Sequence, residues 1–273
     1  MTIATDALRT FVRGRAGISM GADKDYLLRS RLEPQLRSWG MDSLERLVSH
    51  LSTDPAGKVA NEVISALTIN ETSWFRDGKP FEMLRNVILP DILGRQKDSN
   101  LAVWSAACST GQEAYSIAMT LRENPPAGRQ WNYSILGTDI CGAVVGRAQA
   151  GAYSKFEVQR GLPIQRLVKY FEQSGKDTWT IRPELRERVT FRQMNLTQIP
   201  PVMGPFDIVF CRNVLIYFEV DVKAKVLASI ARHMRPNGFL ILGSAETTMG
   251  VSTLFTTVPG TPGLYRLAAN QLH

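Results

Sequence analysis

The 273-residue chain has little cysteine and no long apolar run, and each lack removes a class of protein. Its three cysteines, Cys108, Cys141 and Cys211, are too few and too scattered for a disulfide framework or a zinc site. Free thiols point to a reducing compartment, so a cytoplasmic protein without a structural metal is expected. No stretch approaches the roughly 18–20 apolar residues of a membrane span. The opening Met1-Thr-Ile-Ala-Thr-Asp6 has neither a basic n-region nor an apolar h-region, so no secretory signal is expected. Internal repeats and low-complexity tracts are also missing. What is plentiful is positive charge, +7 net with a pI of about 9.5. That favours an acidic partner, whether nucleic acid, anionic lipid or an acidic protein surface, although a merely basic protein reads the same.

Residues 1–78 read as a small helical domain. Asp6–Val12, Tyr26–Arg37, Leu44–Leu51 and Ala60–Leu67 carry apolar residues at spacings of three and four, with breaks at Gly40 and Asp54-Pro-Ala-Gly57. Pro34 lies inside the second pattern and predicts a kink there. A linker helix over 79–99 follows, from Lys79 to Leu93. From residue 100 to 273 the rhythm turns to strand and helix in alternation. Leu101–Ser105, Tyr133–Gly137, Val189–Phe191, Phe206–Phe210 and Phe239–Gly243 read as strands. Gln112–Leu121, Gly142–Gln149 and Val220–Met234 read as helices, the last ended by Arg235-Pro-Asn-Gly238. Such alternation predicts a doubly wound α/β sheet. Residues 151–188 break it and read as a small inserted subdomain, part helix and part hairpin. Phe255–Leu267 reads as a closing antiparallel hairpin.

The most informative stretch is Phe206-Asp-Ile-Val-Phe-Cys-Arg-Asn-Val-Leu-Ile-Tyr-Phe218. Polar side chains just past the carboxyl end of a buried strand sit where open α/β sheets bind ligands, so Arg212, Asn213 and Tyr217 are expected to face one. After the first strand, Ala106–Tyr115 allows a tight turn at Gly111 but is not a G-x-G-x-x-G dinucleotide fingerprint. Glu113, in the first helical turn, reads both as a ligand residue and as a plain N-terminal helix acid. Asp139, ending the second strand, could accept hydrogen bonds from ribose hydroxyls or cap the next helix. No phosphate-binding loop accompanies it, which fits S-adenosylmethionine better than NAD or ATP. Asn70, Thr72 and Arg76, flanking Trp74 and Phe75, form a second polar cluster, open also to reading as a helix cap and a surface arginine.

Taken together, Thr68–Asp77, Trp104–Met119, Gly137-Thr-Asp-Ile140, Asn195-Leu196 and Phe210–Phe218 resemble the chemotaxis receptor methyltransferases, the CheR family, in order and spacing across nearly the whole chain. The resemblance implies an all-α N-terminal domain, a linker, and an S-adenosylmethionine-dependent methyltransferase domain with a small inserted β-subdomain. It implies methyl transfer to glutamate side chains on the cytoplasmic helices of chemoreceptors, by a monomer that binds no nucleic acid and does not enter the membrane. Carried over by motif, Asn70, Thr72, Arg76, Glu113, Asp139, Asn195, Leu196, Arg212 and Asn213 would line the cofactor site, with Arg76 and Tyr217 nearest the reacting methyl. Arg29, Arg31 and Arg37, with Arg9, Arg13 and Arg15 before them, are expected to dock on the acidic receptor helices, although a charged solvated face would look alike.

The chain departs from the family at Gln112-Glu113-Ala114, where Glu-Glu-Pro is common, and at Trp74-Phe75, where two phenylalanines are usual. The Gln173-Ser-Gly-Lys-Asp177 turn of the insert is short, so an enzyme independent of a receptor tether peptide is expected. A nucleic-acid methyltransferase is a rival, weakened because Cys211-Arg-Asn-Val214 stands where an Asn/Asp-Pro-Pro-aromatic motif would be. The other rival is a cofactor-binding regulator without activity, against which the joint presence of Arg76, Asp139, Asn213 and Tyr217 argues.

Overall fold

The computed structural model describes residues 3–95 and 99–268. It opens with helices α1 (Ile3–Ala16), α2 (Asp25–Leu32), α3 (Leu44–Thr53) and α4 (Lys58–Leu67). Their apolar stripes bring Leu8, Val12, Leu28, Leu32, Leu47 and Val63 into one core. Pro34, which has no N–H to donate, acts as expected: α2 stops at Leu32 and the chain tightens into a 3-10 helix over Glu33–Trp39. Gly40 ends that turn at φ +72°, and the Ser43 hydroxyl then caps α3 by accepting the Arg46 N–H. The linking segment runs through α5 (Lys79–Met83), a π turn at Leu84–Ile88 and α6 (Leu89–Arg95).

The main sheet is built from β1 (Asn100–Ala106), β2 (Asn132–Asp139), β6 (Val189–Gln193), β7 (Phe206–Cys211), β8 (Met234–Leu242), β9 (Phe255–Thr257) and β10 (Leu264–Leu267). Helices α7 (Gln112–Glu123), α8 (Gly142–Ala150) and α12 (Val220–Arg232) connect its parallel strands. Among the described residues the order is β6-β2-β1-β7-β8-β10-β9, with β10 antiparallel to both of its neighbours. β7 is buried at every position and apolar but for Asp207, as a central strand of a parallel sheet should be. The insert carries β3 (Ala152–Ser154), α9 (Lys155–Gln159), α10 (Ile164–Tyr170), β4 (Phe171–Gly175), β5 (Thr178–Ile181) and α11 (Pro183–Arg186). Its strands form a separate antiparallel sheet in the order β3-β5-β4.

One expected boundary is corrected. Arg235–Gly238 does not lie between helix and strand; it bulges within β8. Phe206 pairs with Met234 and Ile208 with Phe239, so the intervening residues loop out opposite Asp207. Asn237 turns the chain at φ +61°, and Arg235 pairs with the buried Asp207 carboxylate at 3.3 Å. That carboxylate also accepts the Ala102 N–H at 2.8 Å, tying the bulge to β1.

Candidate active site

β1 lies between β2 and β7, the point at which the order of strands reverses. The register sets Ala106 opposite both Thr138 and Cys211. Ala107, Asp139 and Arg212 therefore emerge side by side from the carboxyl ends of three strands, at the switch point where such sheets bind ligands. A cavity of about 1300 Å³, counting its open mouth, lies there between the sheet and the N-terminal helices.

The turn from β1 into α7 is bent at Ala107, Ser109 and Gly111, with φ of +62°, +50° and +93°. Gly111 is required: a Cβ there would lie 2.9 Å from the Ala148 Cβ and 3.1 Å from the Phe191 ring. Asp139 holds this turn, accepting the Ser109 N–H at 2.9 Å and the Cys141 N–H at 3.0 Å. It does not cap α8, whose N-cap is Cys141. Burial raises the Asp139 pKa above its ordinary value, while the N–H groups of Cys141 and Ser109 act in the opposite direction. The Cys108 thiol in the cavity wall is pushed well up by burial and by the nearby Asp139 and Glu113 carboxylates. It stays a neutral thiol, unsuited to nucleophilic chemistry.

Glu113 is more than a helix-end acid. It accepts from the Ser105 hydroxyl at 2.7 Å and from Arg212 Nη1 at 2.8 Å. Arg212, its side chain 2% exposed, also donates through Nη2 to Asp77 at 2.6 Å and to the Arg76 carbonyl at 3.1 Å. It thus pins the Thr68–Gly78 segment, called the arm below, to the end of β7. Its buried Nε has no partner among the described residues.

The loop after β7 is shaped by a residue the sequence reading did not single out. Glu246, 8% exposed, accepts the backbone N–H groups of Asn213, Val214, Leu215 and Ile216 at 2.7–3.3 Å, and that of Gly243 at 2.7 Å. Asn213 is left-handed at φ +58° within this cage, which aims the chain from Arg212 toward Tyr217. Also missed was the strap after α1. The Ser19 N–H donates to the Tyr217 carbonyl at 2.8 Å, Ile18 bridges to Phe218, and Ile18, Ser19 and Met20 line the cavity. Neither feature leaves a periodic signal, because each depends on a pairing across the fold.

The structure brings Asn70, Thr72, Arg76, Glu113, Asp139, Asn195, Leu196, Arg212, Asn213 and Tyr217 to the wall of this one cavity. The Asn195 amide is engaged locally. Its oxygen accepts from Thr197 and its nitrogen donates to the Arg15 carbonyl at 2.6 Å, fastening α1 to the sheet domain. The three docking candidates separate. Arg37 is exposed and Arg29 is partly exposed, paired with Glu33 at 3.0 Å. Arg31, half-buried, faces the cavity and donates to the Leu67 and Thr68 carbonyls at 3.2 and 3.1 Å. Those carbonyls are the unpaired end of α4, a natural place for a cation. Among the described residues no His, Cys, Asp and Glu cluster could hold a metal, and no helix is long and apolar enough to cross a membrane.

Residues 4–68 match the all-alpha domain of the CheR methyltransferases, and residues 70–264 match their SAM binding domain. The chain belongs to the CheR methyltransferase family. It is 38% identical over 262 residues to the chemotaxis protein methyltransferase Cher2 of Pseudomonas putida, covering 95% of each chain. It is 37% identical over 273 residues to chemotaxis protein methyltransferase 1 of Vibrio cholerae, covering 98% of each. The chemotaxis protein methyltransferase of Borreliella burgdorferi is 31% identical over 250 residues, 90% of this chain and 88% of that one. Like the SAM binding domain of its family, the chain is an S-adenosylmethionine-dependent methyltransferase. The residues present suit that cofactor. The cavity is largely apolar and carries a buried carboxylate and backbone bent for close approach. A nucleoside with two hydroxyls and a cationic sulfur needs such a set.

Proposed function

We propose that this CheR-family protein transfers the methyl group of S-adenosylmethionine to glutamate side chains on the cytoplasmic helices of chemoreceptors, as a cytoplasmic monomer. The observation that supports the reading best is the meeting of Arg76 and Tyr217 with Asp139 and Asn213 at one cavity on the switch point of the sheet. When bound, the cofactor supplies an electrophilic methyl on a sulfonium. A glutamate is already ionised at neutral pH, with an unperturbed pKa near ~4.3, so no general base is needed. The chain's part is alignment. Arg76, held by one bond from Nη1 to the Glu71 carbonyl at 2.9 Å, has further donors with which to orient a carboxylate in bidentate fashion. A contact of moderate strength serves best, since tight ground-state binding would slow attack. Tyr217, its carbonyl held by the Ser19 N–H and its N–H by the Val214 carbonyl, lines the same cavity, where its ring and hydroxyl would direct the substrate or the sulfonium region.

The deciding experiment incubates the protein with radiolabelled-methyl S-adenosylmethionine and a chemoreceptor cytoplasmic fragment, then treats the product with mild alkali. Label that moves to the receptor and returns as volatile methanol marks a carboxyl methyl ester. Transfer to RNA or DNA, or cofactor binding without any transfer, would overturn the reading. In the same assay Arg76→Ala is expected to lower turnover on the order of 100-fold, the scale of misplacing a reacting group by about 1 Å. Unchanged turnover would remove Arg76 from the mechanism, and full activity of Tyr217→Phe would remove the hydroxyl of Tyr217.

Arg29 and Arg37 are proposed to meet the acidic receptor helices. Reversing both to Glu should raise the KM for receptor and steepen no other parameter, cofactor affinity included. An unchanged KM would place docking elsewhere. The short Lys176-Asp177 turn between β4 and β5 is the basis for proposing independence from a receptor tether peptide. Micromolar binding of such a peptide to the protein would contradict it.

A further inference from the structure

The arm that carries Arg76 is gripped from the inserted subdomain. Trp74, 1% exposed, sits edge-on to Tyr153 and Phe171, with ring centroids 4.9 and 5.3 Å away. The Trp74 N–H donates to the Arg160 carbonyl at 3.0 Å, and the Arg160 guanidinium pairs with Glu71. A Cβ on Gly161 would collide with the Trp74 carbonyl oxygen, so the two backbones touch. One residue on, Phe75 is left-handed at φ +48°, and Asp77 at φ +67°. A bulky side chain resists that conformation, so surrounding contacts must hold it there.

One of those contacts is Arg166 on α10. Its guanidinium lies 4.0 Å from the centre of the Phe75 ring. The same group forks onto Glu123 at the end of α7, with Nε at 3.1 and 3.0 Å and Nη2 at 2.6 Å from the carboxylate oxygens. A planar cation fixed to the sheet domain on one side and stacked on an aromatic face on the other is a rigid bracket. From the other side the Phe75 N–H donates to the Ser116 hydroxyl at 3.1 Å, and the Phe81 ring lies 5.1 Å away.

We propose that Arg166 is a positioning residue for methyl transfer: it holds Phe75 in its strained turn and thereby sets where Arg76 points into the cavity. Without the bracket, Phe75 relaxes toward ordinary φ and the chain swings at the next residue. The inserted subdomain is then a support for the catalytic arm as well as a decoration of the sheet. This inference rests on the role proposed above for Arg76.

The test uses the full chain with Arg166→Ala, Arg166→Lys, Arg76→Ala and the Arg166→Ala/Arg76→Ala double variant. Arg166→Ala should lower kcat by about tenfold or more, the scale of a small misplacement at a reacting centre. Arg166→Lys should not restore it, since an ammonium cannot fork onto Glu123 and stack on Phe75 together. The double variant should be no slower than Arg76→Ala, because a residue acting through another adds nothing once that other is gone. Hydrogen exchange at the Trp74 and Phe75 amides should quicken in Arg166→Ala and Arg166→Lys while that of β1 stays at the wild-type rate. Wild-type kcat in Arg166→Ala, losses that multiply in the double variant, or exchange quickened throughout the protein would each overturn the proposal. Exchange needs no substrate, so it tests the bracket even if the wild-type protein proves not to methylate a receptor. If Arg166→Ala does not fold, Arg166→Lys carries the kinetic and exchange comparisons.

Discussion

Glu246→Ala is expected to lower folding stability by about 4 kcal/mol, the cost of stripping a buried charged acceptor from several donors at once. In a chain of this size that corresponds to a fall in Tm on the order of 10 °C. The reason is the number of bonds that meet on one carboxylate: the N–H groups of Asn213 to Ile216 and of Gly243 all point at it. The variant strips these N–H groups of the carboxylate they share, and the left-handed Asn213 loses what holds it there. Cofactor affinity should fall with stability, since the loop carries Asn213 and Tyr217 into the cavity. Glu246→Gln separates charge from shape. Its amide turns two N–H donors toward groups that also donate, so it should recover little of the loss. Thermal denaturation together with calorimetric titration of S-adenosylmethionine checks both effects, and a wild-type Tm in either variant would show that the cage is dispensable.

The second large effect is expected at Arg212. Arg212→Met keeps the bulk but leaves Glu113 with an uncompensated charge in a nearly closed site, at a cost of about 3 kcal/mol. The Asp77 side chain is 43% exposed, so water takes over much of its loss, and Glu113, at 12%, carries the penalty. Turnover should fall further than stability alone explains, because the Arg212 bond to the Arg76 carbonyl is lost as well. Arg212→Lys should rescue little, since a single ammonium cannot serve Glu113, Asp77 and a carbonyl in one plane. Adding Glu113→Gln to Arg212→Met removes the stranded charge and should return part of the stability. If the double variant is no more stable than Arg212→Met, the penalty has another source.

Particular residues show what was legible. The buried run of β7 and the small-residue turn after β1 announced themselves by composition, and their polar flanks pointed to the site. The helical stripes of α1, α3 and α4 and the break at Pro34 were readable because burial of one face imposes a local period. Arg235–Gly238 misled because Pro, Asn and Gly read as a stop, whereas pairing with β7 on both sides makes them a bulge. The bonds of Arg31 to the carbonyls at the end of α4 were not legible, because they join residues 36 and 37 positions apart.

The sequence by itself determined the order of strands and helices, the family and the residues that gather at the cavity, because short-range patterns record which faces are buried and which turns are bent. Only the tertiary structure decided how those residues are held. Glu246 lies 30–33 positions from the loop it cages, Arg212 99 from Glu113, and Asn195 180 from the carbonyl it binds. Hydrogen-bond partners at such separations are chosen by where the folded chain brings them together, and no local period carries that information.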